Sequence, residues 1–324
     1  MKADVLPRSV QNILTQDVAP LTEALALDSS GARIEIQSLL QRVLNVSRAY
    51  LLAHPERCLN DSEQTQYEAL LQRRLHGEPM AYLLGEREFF GLMFKVTPAT
   101  LIPRPETELL VELALHRCGG VAAVPPGTHR PPTCGDIPGN KPFRVLDLGT
   151  GSGAIALAIA FTRPEVEVVA VDASIEALVV ARENAKQLGI SNVTFVQSDW
   201  YAALHAQRFD LIVSNPPYVS TGDPHLHQGD LRFEPPSALA SGEDGLHDIR
   251  HIVANAQAHL QSEGWLLLEH GYDQATQVRE LMQQTGHRAV FSACDLAGIE
   301  RVSGSRTHPA PALAPSGLGR SAYC

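Results

Sequence analysis

Residues 144–148, RVLDL, run without interruption into Gly149-Thr150-Gly151-Ser152-Gly153 and then into AIALAIAF. A turn this tight at the carboxyl end of a buried strand needs residues without Cβ, so that a ligand can approach the backbone. The same alternation continues down the chain. EVVAVD, VTFVQSD, FDLIVSN and GWLLLEH are short apolar runs, separated by the helical patterns SIEALVVARENAKQLG and LHDIRHIVANAQAHLQSEG. Near-continuous apolar strands between amphipathic helices predict an α/β, Rossmann-like fold, with a doubly wound, mostly parallel sheet covered on both faces.

The rest of the chain reads differently. Residues 1–85 are helical, a small N-terminal domain in which Ile36, Leu39, Leu40, Val43, Leu44, Leu51 and Leu52 recur at helical spacing. A second helix is expected to start at Asp61, with Gln64 three residues on as in a capping box; Tyr67, Leu70, Leu71 and Leu75 form its face, and Gly77 and Pro79 stop it. Residues 86–101 carry aromatics around a central Gly91, as in a hairpin linker, and a helix is expected from Pro105. Residues 102–302 form the main domain. It is interrupted at 119–142, where six Pro and five Gly in 24 positions predict a surface loop. Residues 287–302 look like strand material at the sheet edge, and residues 303–324 hold so few large apolar side chains that they are expected to be a disordered tail.

Composition removes several classes of function. There is no apolar run of membrane-spanning length, and the first twenty residues hold no stretch like a signal peptide, so a cytoplasmic protein is expected. Five cysteines, dispersed and without a C-x-x-C pair, argue against disulfides and against a cysteine zinc site. The formal net charge of −10 disfavours direct binding of nucleic acid.

The glycine turn is a candidate nucleotide site. Asp172 ends the next strand, 23 positions after Gly149, where a carboxylate can accept hydrogen bonds from two ribose hydroxyls. Asp199 ends the third strand with Trp200 beside it, one suited to an exocyclic amine and the other to stacking on an adenine ring. The glycine pattern also fits the looser dinucleotide motif, so NAD and S-adenosylmethionine both remain candidates at this point. Asp147 and the fourth strand favour the latter. That strand ends in Asn215-Pro216-Pro217-Tyr218, facing the same crevice. Two prolines stiffen the chain and remove two N–H donors, while the carbonyls and the Asn215 oxygen remain as acceptors. Such an array suits a substrate that presents an NH2 group, with Tyr218 packing on its plane.

These residues together resemble class I S-adenosylmethionine-dependent N-methyltransferases. More narrowly, IPRPETELLVE (102–112), GEPMAYLLGEREFFG (77–91), LLLEHG (266–271) and DLAGIERV (295–302) are similar to the HemK/PrmC family of release factor glutamine N5-methyltransferases. The resemblance runs from about residue 10 to residue 302. It implies a class I methyltransferase fold, S-adenosyl-L-methionine as cofactor, and as substrate the Gly-Gly-Gln glutamine of class I peptide chain release factors. It implies that Gly149, Thr150, Gly151, Ser152, Gly153, Asp172, Trp200 and Asn215 bind the cofactor. It implies that Asn215, Pro216, Pro217 and Tyr218 are the catalytic residues and grip the glutamine amide. Ribosomal protein glutamine methyltransferases and nucleic-acid exocyclic amine methyltransferases are the alternatives. The unbroken Pro103-Arg104-Pro105-Glu106-Thr107-Glu108 run favours the release factor enzymes.

Other candidates are weaker. Asp223, His225 and His227 have no further ligand at a sensible spacing, so no metal is expected there, and His116, Cys118 and Cys134 are read the same way. Glu234, Glu269 and His270 either line the crevice or are structural. Arg104 either contacts a carboxylate of ligand or substrate or serves as a rigid cationic hinge.

Overall fold

A computed structural model describes residues 8–119 and 141–308. Most of the Pro/Gly-rich insert, 120–140, and the segment 309–324 of the expected tail lie outside the described residues. Among the described residues, no helix is long and apolar enough to cross a membrane.

Six helices come first: α1 (Val10–Gln16), α2 (Val18–Leu25), α3 (Ser29–Leu44), α4 (Arg48–Ala53), α5 (Asp61–Leu75) and α6 (Met80–Leu84). Ile13, Leu21, Ile36, Leu39, Leu40, Leu51 and Tyr67 fill their common core. Leu52 does not join them; it is 60% exposed, because α4 is a short helix whose inward position is taken by Leu51. The capping box of α5 also sits one residue earlier than the sequence pattern suggests. Asn60, still in extended conformation, accepts from Glu63 N at 2.9 Å, and Glu63 Oε2 accepts from Asn60 N at 2.8 Å. Asp61 and Glu63 lie in the first turn, where negative charge meets the positive end of the helix dipole.

The hairpin pairs β1 (Glu86–Phe89) with β2 (Leu92–Lys95) across Phe90-Gly91, both at positive φ, the backbone a two-residue turn requires. A 3-10 turn (Pro105–Thr107) leads into α7 (Glu108–Arg117), so the α-helix proper begins three residues after Pro105.

The main sheet holds β3 (Arg144–Leu148), β4 (Glu167–Asp172), β5 (Val193–Gln197), β6 (Phe209–Ser214), β7 (Leu260–Glu269), β8 (Arg288–Cys294) and β9 (Glu300–Arg306). Their order is β5-β4-β3-β6-β7-β9-β8, parallel except at β9. Helices α8 (Ala154–Thr162), α9 (Ile175–Leu188), α10 (His247–His259) and α11 (Ala275–Gln284) cover it. Strand residues alternate between two cores. Val145, Val168, Leu211 and Leu267 face α7 and α8, while Leu146, Val169, Ile212 and Leu266 face α10 and α11. Each strand therefore reads as a continuous apolar run. The chain builds outward from β3 to β5, then returns to β6 on the other side of β3. That reversal opens a crevice at the carboxyl ends of β3 and β6.

Two boundaries differ from the sequence pattern. Residues 260–263 begin β7 rather than prolonging α10, and Glu263 there adopts positive φ beside a register shift. More consequentially, the expectation of a disordered tail from residue 303 fails for 303–306. Ser303, Gly304 and Arg306 pair with both β7 and β8, and Ser305 with β7. Their small size is what fits them there. A Cβ on Gly304 would stand 2.4 Å from Phe291 Cε1 and 2.7 Å from Leu267 Cδ2. The residues that look too small to build a core are the ones that leave room for their neighbours' rings.

Candidate active site

The glycine turn is built on backbone conformation. Gly149, Gly151 and Gly153 all have positive φ. A Cβ on Gly153 would press on Leu157 and Ala181, at 3.0 and 3.2 Å, so this glycine lets α8 and α9 close on the turn. A Cβ on Gly151 would meet nothing within 4 Å, so this glycine faces open space where a ligand can reach the chain. Thr150 and Ser152 are buried, and the hydroxyl of the first and the backbone carbonyl of the second brace the turn itself. Thr150 Oγ1 donates to Asp147 Oδ2 at 2.7 Å, and Asn184 Nδ2 donates to Ser152 O at 2.8 Å. Asn184 also bonds both backbone groups of Lys95, at 2.7 and 3.0 Å, and so docks the hairpin onto the turn; no local pattern around Asn184 signals this.

Two carboxylates frame the turn. Asp147 is fully buried. Its Oδ2 also accepts from Ala156 N at 3.2 Å in the first turn of α8, while Oδ1 has no partner. Burial pushes its carboxyl up to about 7, against hydrogen bonds from Thr150 and Ala156. Asp172 accepts from Gly151 N at 2.8 Å and from Ser174 N at 2.9 Å. Burial raises its pKa too, opposed by those backbone N–H groups. Beyond it opens a groove of about 410 Å³ lined by Ala173, Gln197, Ser198, Asp199, Ala202 and Ala203. Trp200 lies beside the glycine turn, its ring 3.5 Å from where a Gly149 Cβ would lie. An adenosine fits this set of acceptors and walls: hydroxyl acceptors at Asp172, a carboxylate at Asp199, an indole face and an open backbone at Gly151. The unpartnered oxygen of Asp147 suits a cationic N–H group.

The second half of the site follows from strand register. Leu148 stands opposite Ser214 in the β3–β6 pair, and Ser214 Oγ donates to Leu148 O at 2.7 Å. Gly149 and Asn215 therefore leave adjacent strands, about 4.8 Å apart, at the same level. Around Asn215-Pro216-Pro217-Tyr218 two side-chain donors already have protein partners. Asn215 Nδ2 donates to Thr107 Oγ1 at 3.2 Å, and Tyr218 Oη donates to Glu269 Oε1 at 3.3 Å. The Tyr218 carbonyl is taken by Gln274 Nε2 at 2.9 Å, and Gly245 makes room for it, since a Cβ there would lie 2.3 Å from that oxygen. Burial, then the Glu269 charge, raise the Tyr218 pKa, so its hydroxyl stays protonated.

Glu269 ends β7 fully buried, with Oε2 unpartnered. Burial pushes its carboxyl up to about 7; a hydrogen bond from Thr107 and one from Tyr218 act the other way. The sequence left Glu269 open between a crevice role and a structural one, and it lies against Tyr218. Its neighbour His270 is structural, with Nδ1 2.9 Å from Gly271 O and Nε2 2.9 Å from Ser303 Oγ. Glu234 accepts from Ile102 N at 3.0 Å and pairs closely with Arg104, so the two pin the Pro103–Glu108 run to the loop after Tyr218. Thr107 was missed as a functional candidate; its signal was a hydroxyl in a proline-stiffened run whose position in space the sequence does not give. Asp223 and His225 pair with each other at 2.7 Å on the surface, and among the described residues no group of three or more His, Cys, Asp or Glu could hold a metal.

Residues 136–229 match the Methyltransferase small domain, and residues 20–85 match the PrmC N-terminal domain. The chain is 48% identical to a release factor glutamine methyltransferase of Salmonella typhimurium, over 87% of this chain and 95% of that one. It is 49% identical to one of Bordetella pertussis, over 88% and 98%. Among solved structures, the hMettl16 catalytic domain, in complex with an RNA hairpin, shares the fold at 16% identity, with a TM-score of 0.50 over 78% of this chain and 87% of that one.

Proposed function

The chain belongs to the release factor glutamine methyltransferase family, and from that premise we propose that it methylates the side-chain amide nitrogen of the Gly-Gly-Gln glutamine in class I peptide chain release factors. The observation that carries this reading is the level at which Gly149 and Asn215 leave β3 and β6. A cofactor cradle and an acceptor-rich amide site are then neighbours in one crevice.

S-adenosyl-L-methionine supplies an electrophilic methyl group on a sulfonium sulfur. Gly149, Gly151 and Gly153 with Thr150 and Ser152 would shape its cradle. Asp172 would take the ribose, and Trp200 with Asp199 the adenine. The protein's own contribution is at the amide. A carboxamide nitrogen is a poor nucleophile, because its lone pair is delocalised into the carbonyl. Acceptors at Asn215 Oδ1 and the proline carbonyls would hold its two N–H groups and orient the lone pair for in-line approach. One N–H of Asn215 Nδ2 is spent on Thr107 and the Tyr218 hydroxyl on Glu269, so both side-chain donors are drawn away from the amide. Tyr218 packs along the amide plane. Rate enhancement then comes from positioning and from preorganised acceptors. The nitrogen becomes acidic as the methyl group arrives, so its proton leaves without a strong base.

The N-terminal helices would hold the body of the release factor, and such a substrate makes the cytoplasm the place of work. The test is incubation of the full chain with methyl-labelled S-adenosylmethionine and a purified class I release factor, followed by peptide mass spectrometry. One methyl group on the Gly-Gly-Gln glutamine is expected. A label on an RNA fragment or a ribosomal protein, with the release factor unlabelled, would overturn the reading.

A further inference from the structure

An asparagine amide can present either of two faces. Rotated by half a turn, Asn215 would place its NH2 where its oxygen must stand, and a donor would meet the substrate's N–H groups. Something must fix the choice. Thr107 lies within hydrogen-bond reach of the Asn215 nitrogen, at 3.2 Å, and is only 4% exposed. Its own backbone is held in the 3-10 turn by Thr107 N donating to Arg104 O at 3.1 Å. A hydroxyl carries a single proton, so where that proton goes decides what the oxygen offers to Asn215. Glu269 is wholly buried and receives Tyr218 Oη at 3.3 Å, and the neighbouring Thr107 hydroxyl holds its carboxyl down against the effect of burial, as a donor to it would. Above about pH 7, where burial no longer keeps Glu269 protonated, its carboxylate only accepts, so both hydroxyls point their protons at it. The Thr107 oxygen then turns its lone pairs toward Asn215, and Nδ2 of Asn215 is drawn to them. The direction of the chain, from Asn215 to Thr107 to Glu269, is set from its buried end.

We propose that Thr107 and Glu269 are positioning residues for methyl transfer, which fix the Asn215 amide with its oxygen toward the substrate nitrogen. The inference rests on the reading of Asn215 as the holder of the glutamine amide. Neither residue touches the reacting atoms; both act through Asn215, and Glu269 also through Tyr218. The Pro103–Glu108 run thereby acquires a role. Its prolines hold the Thr107 hydroxyl at a fixed place beside the end of β6. The carboxylate at the end of the Leu-rich β7 is the acceptor that gives that hydroxyl its direction.

The test compares kcat and KM for release factor methylation, together with S-adenosylmethionine affinity, in Thr107→Val, Thr107→Ser, Glu269→Gln and the Thr107→Val/Glu269→Gln double variant of the full chain. Thr107→Val keeps the shape and removes the hydroxyl. It should lower kcat about 10- to 100-fold, as small misplacements of a reacting group do. Cofactor affinity should stay within about twofold, which also reports that the variant is folded. Thr107→Ser should recover most of the lost turnover. Glu269→Gln should lose a comparable factor, and the double variant should be no worse than the poorer single, because the two residues act in one chain. Turnover of Thr107→Val within about twofold of the unaltered protein would overturn the inference, as would losses that multiply in the double variant. An unaltered chain that leaves the release factor unmethylated would overturn the functional reading with it, so the two failures are distinguishable.

Discussion

Asp172 and Asn215 face the same crevice from different strands, and their substitutions should separate. Asp172→Ala removes acceptors at the end of β4 and should weaken S-adenosylmethionine binding first. Asn215→Ala should abolish turnover while leaving cofactor affinity within about tenfold, or 1.4 kcal/mol. Isothermal titration beside initial rates reads both, and equal loss of affinity and rate in Asn215→Ala would mean that Asn215 is mainly a cofactor ligand. Glu269 makes a second prediction. Burial raises its carboxyl from an unfolded value of 4.5 to about 7. Between those pH values the folded chain holds a proton that the unfolded chain has lost. Its contribution is therefore fully present below about 4.5 and is lost as the pH rises through 7, at roughly 1.4 kcal/mol for each pH step of one across that window. Asp147, pushed to about 7 for the same reason, adds to the decline. Glu269→Gln should thus lose less stability than the unaltered chain between pH 5 and pH 8 in urea unfolding. The same loss in both proteins would show that Glu269 does not titrate in this range.

Among the elements, β9 is the instructive one. A Gly304→Val change forces a side chain against Phe291 and Leu267. It should cost about 1–3 kcal/mol, as overpacking does, and lower the thermal midpoint; an unchanged midpoint would mean that the β7–β9–β8 edge is looser than its packing implies. The second half of β9, from Ser303, was illegible for a physical reason. Apolar patterning detects residues that fill space, and Ser303, Gly304 and Ser305 are there to leave it. The strands β3, β4, β6 and most of β7 were legible because burial on both faces demands apolar side chains at every position. The glycine turn and Asn215-Pro216-Pro217-Tyr218 were legible because backbone geometry at strand ends restricts residue type. Thr107 and Gly245 were not. Each matters through a contact across more than a hundred or some twenty-seven residues of chain, and no local period records such a contact. The shift of the α5 cap from Asp61 to Asn60 is milder, since either residue type caps well and the backbone at Asn60 decides.

At the scale of the whole molecule, the helical N-terminus is tied to the loop that follows Tyr218. Arg74, 6% exposed, donates to Glu35 at 2.8 and 2.9 Å and reaches Asp230 at 3.5 Å. Arg232 donates back to His76 O at 2.5 Å. A loop anchored in this way carries the substrate-holding helices and the amide site as one frame. Arg74→Met keeps the apolar stem and strands Glu35 without its partner. It should destabilise the chain by about 1–3 kcal/mol, below the usual cost of breaking a fully buried pair because Glu35 is partly exposed. It should also raise KM for the release factor more than it changes S-adenosylmethionine affinity, as steady-state kinetics would show. An effect confined to the cofactor would contradict this coupling.

The central claim is that the crevice meets a planar carboxamide with acceptors alone. A crystal structure of the full chain with S-adenosylhomocysteine and a Gly-Gly-Gln release factor fragment tests it most directly. The glutamine nitrogen is expected within hydrogen-bond reach of Asn215 Oδ1 and a proline carbonyl, with Asn215 Nδ2 still on Thr107. A glutamine amide seated away from Asn215, or one met there by an N–H donor of the protein, would contradict it.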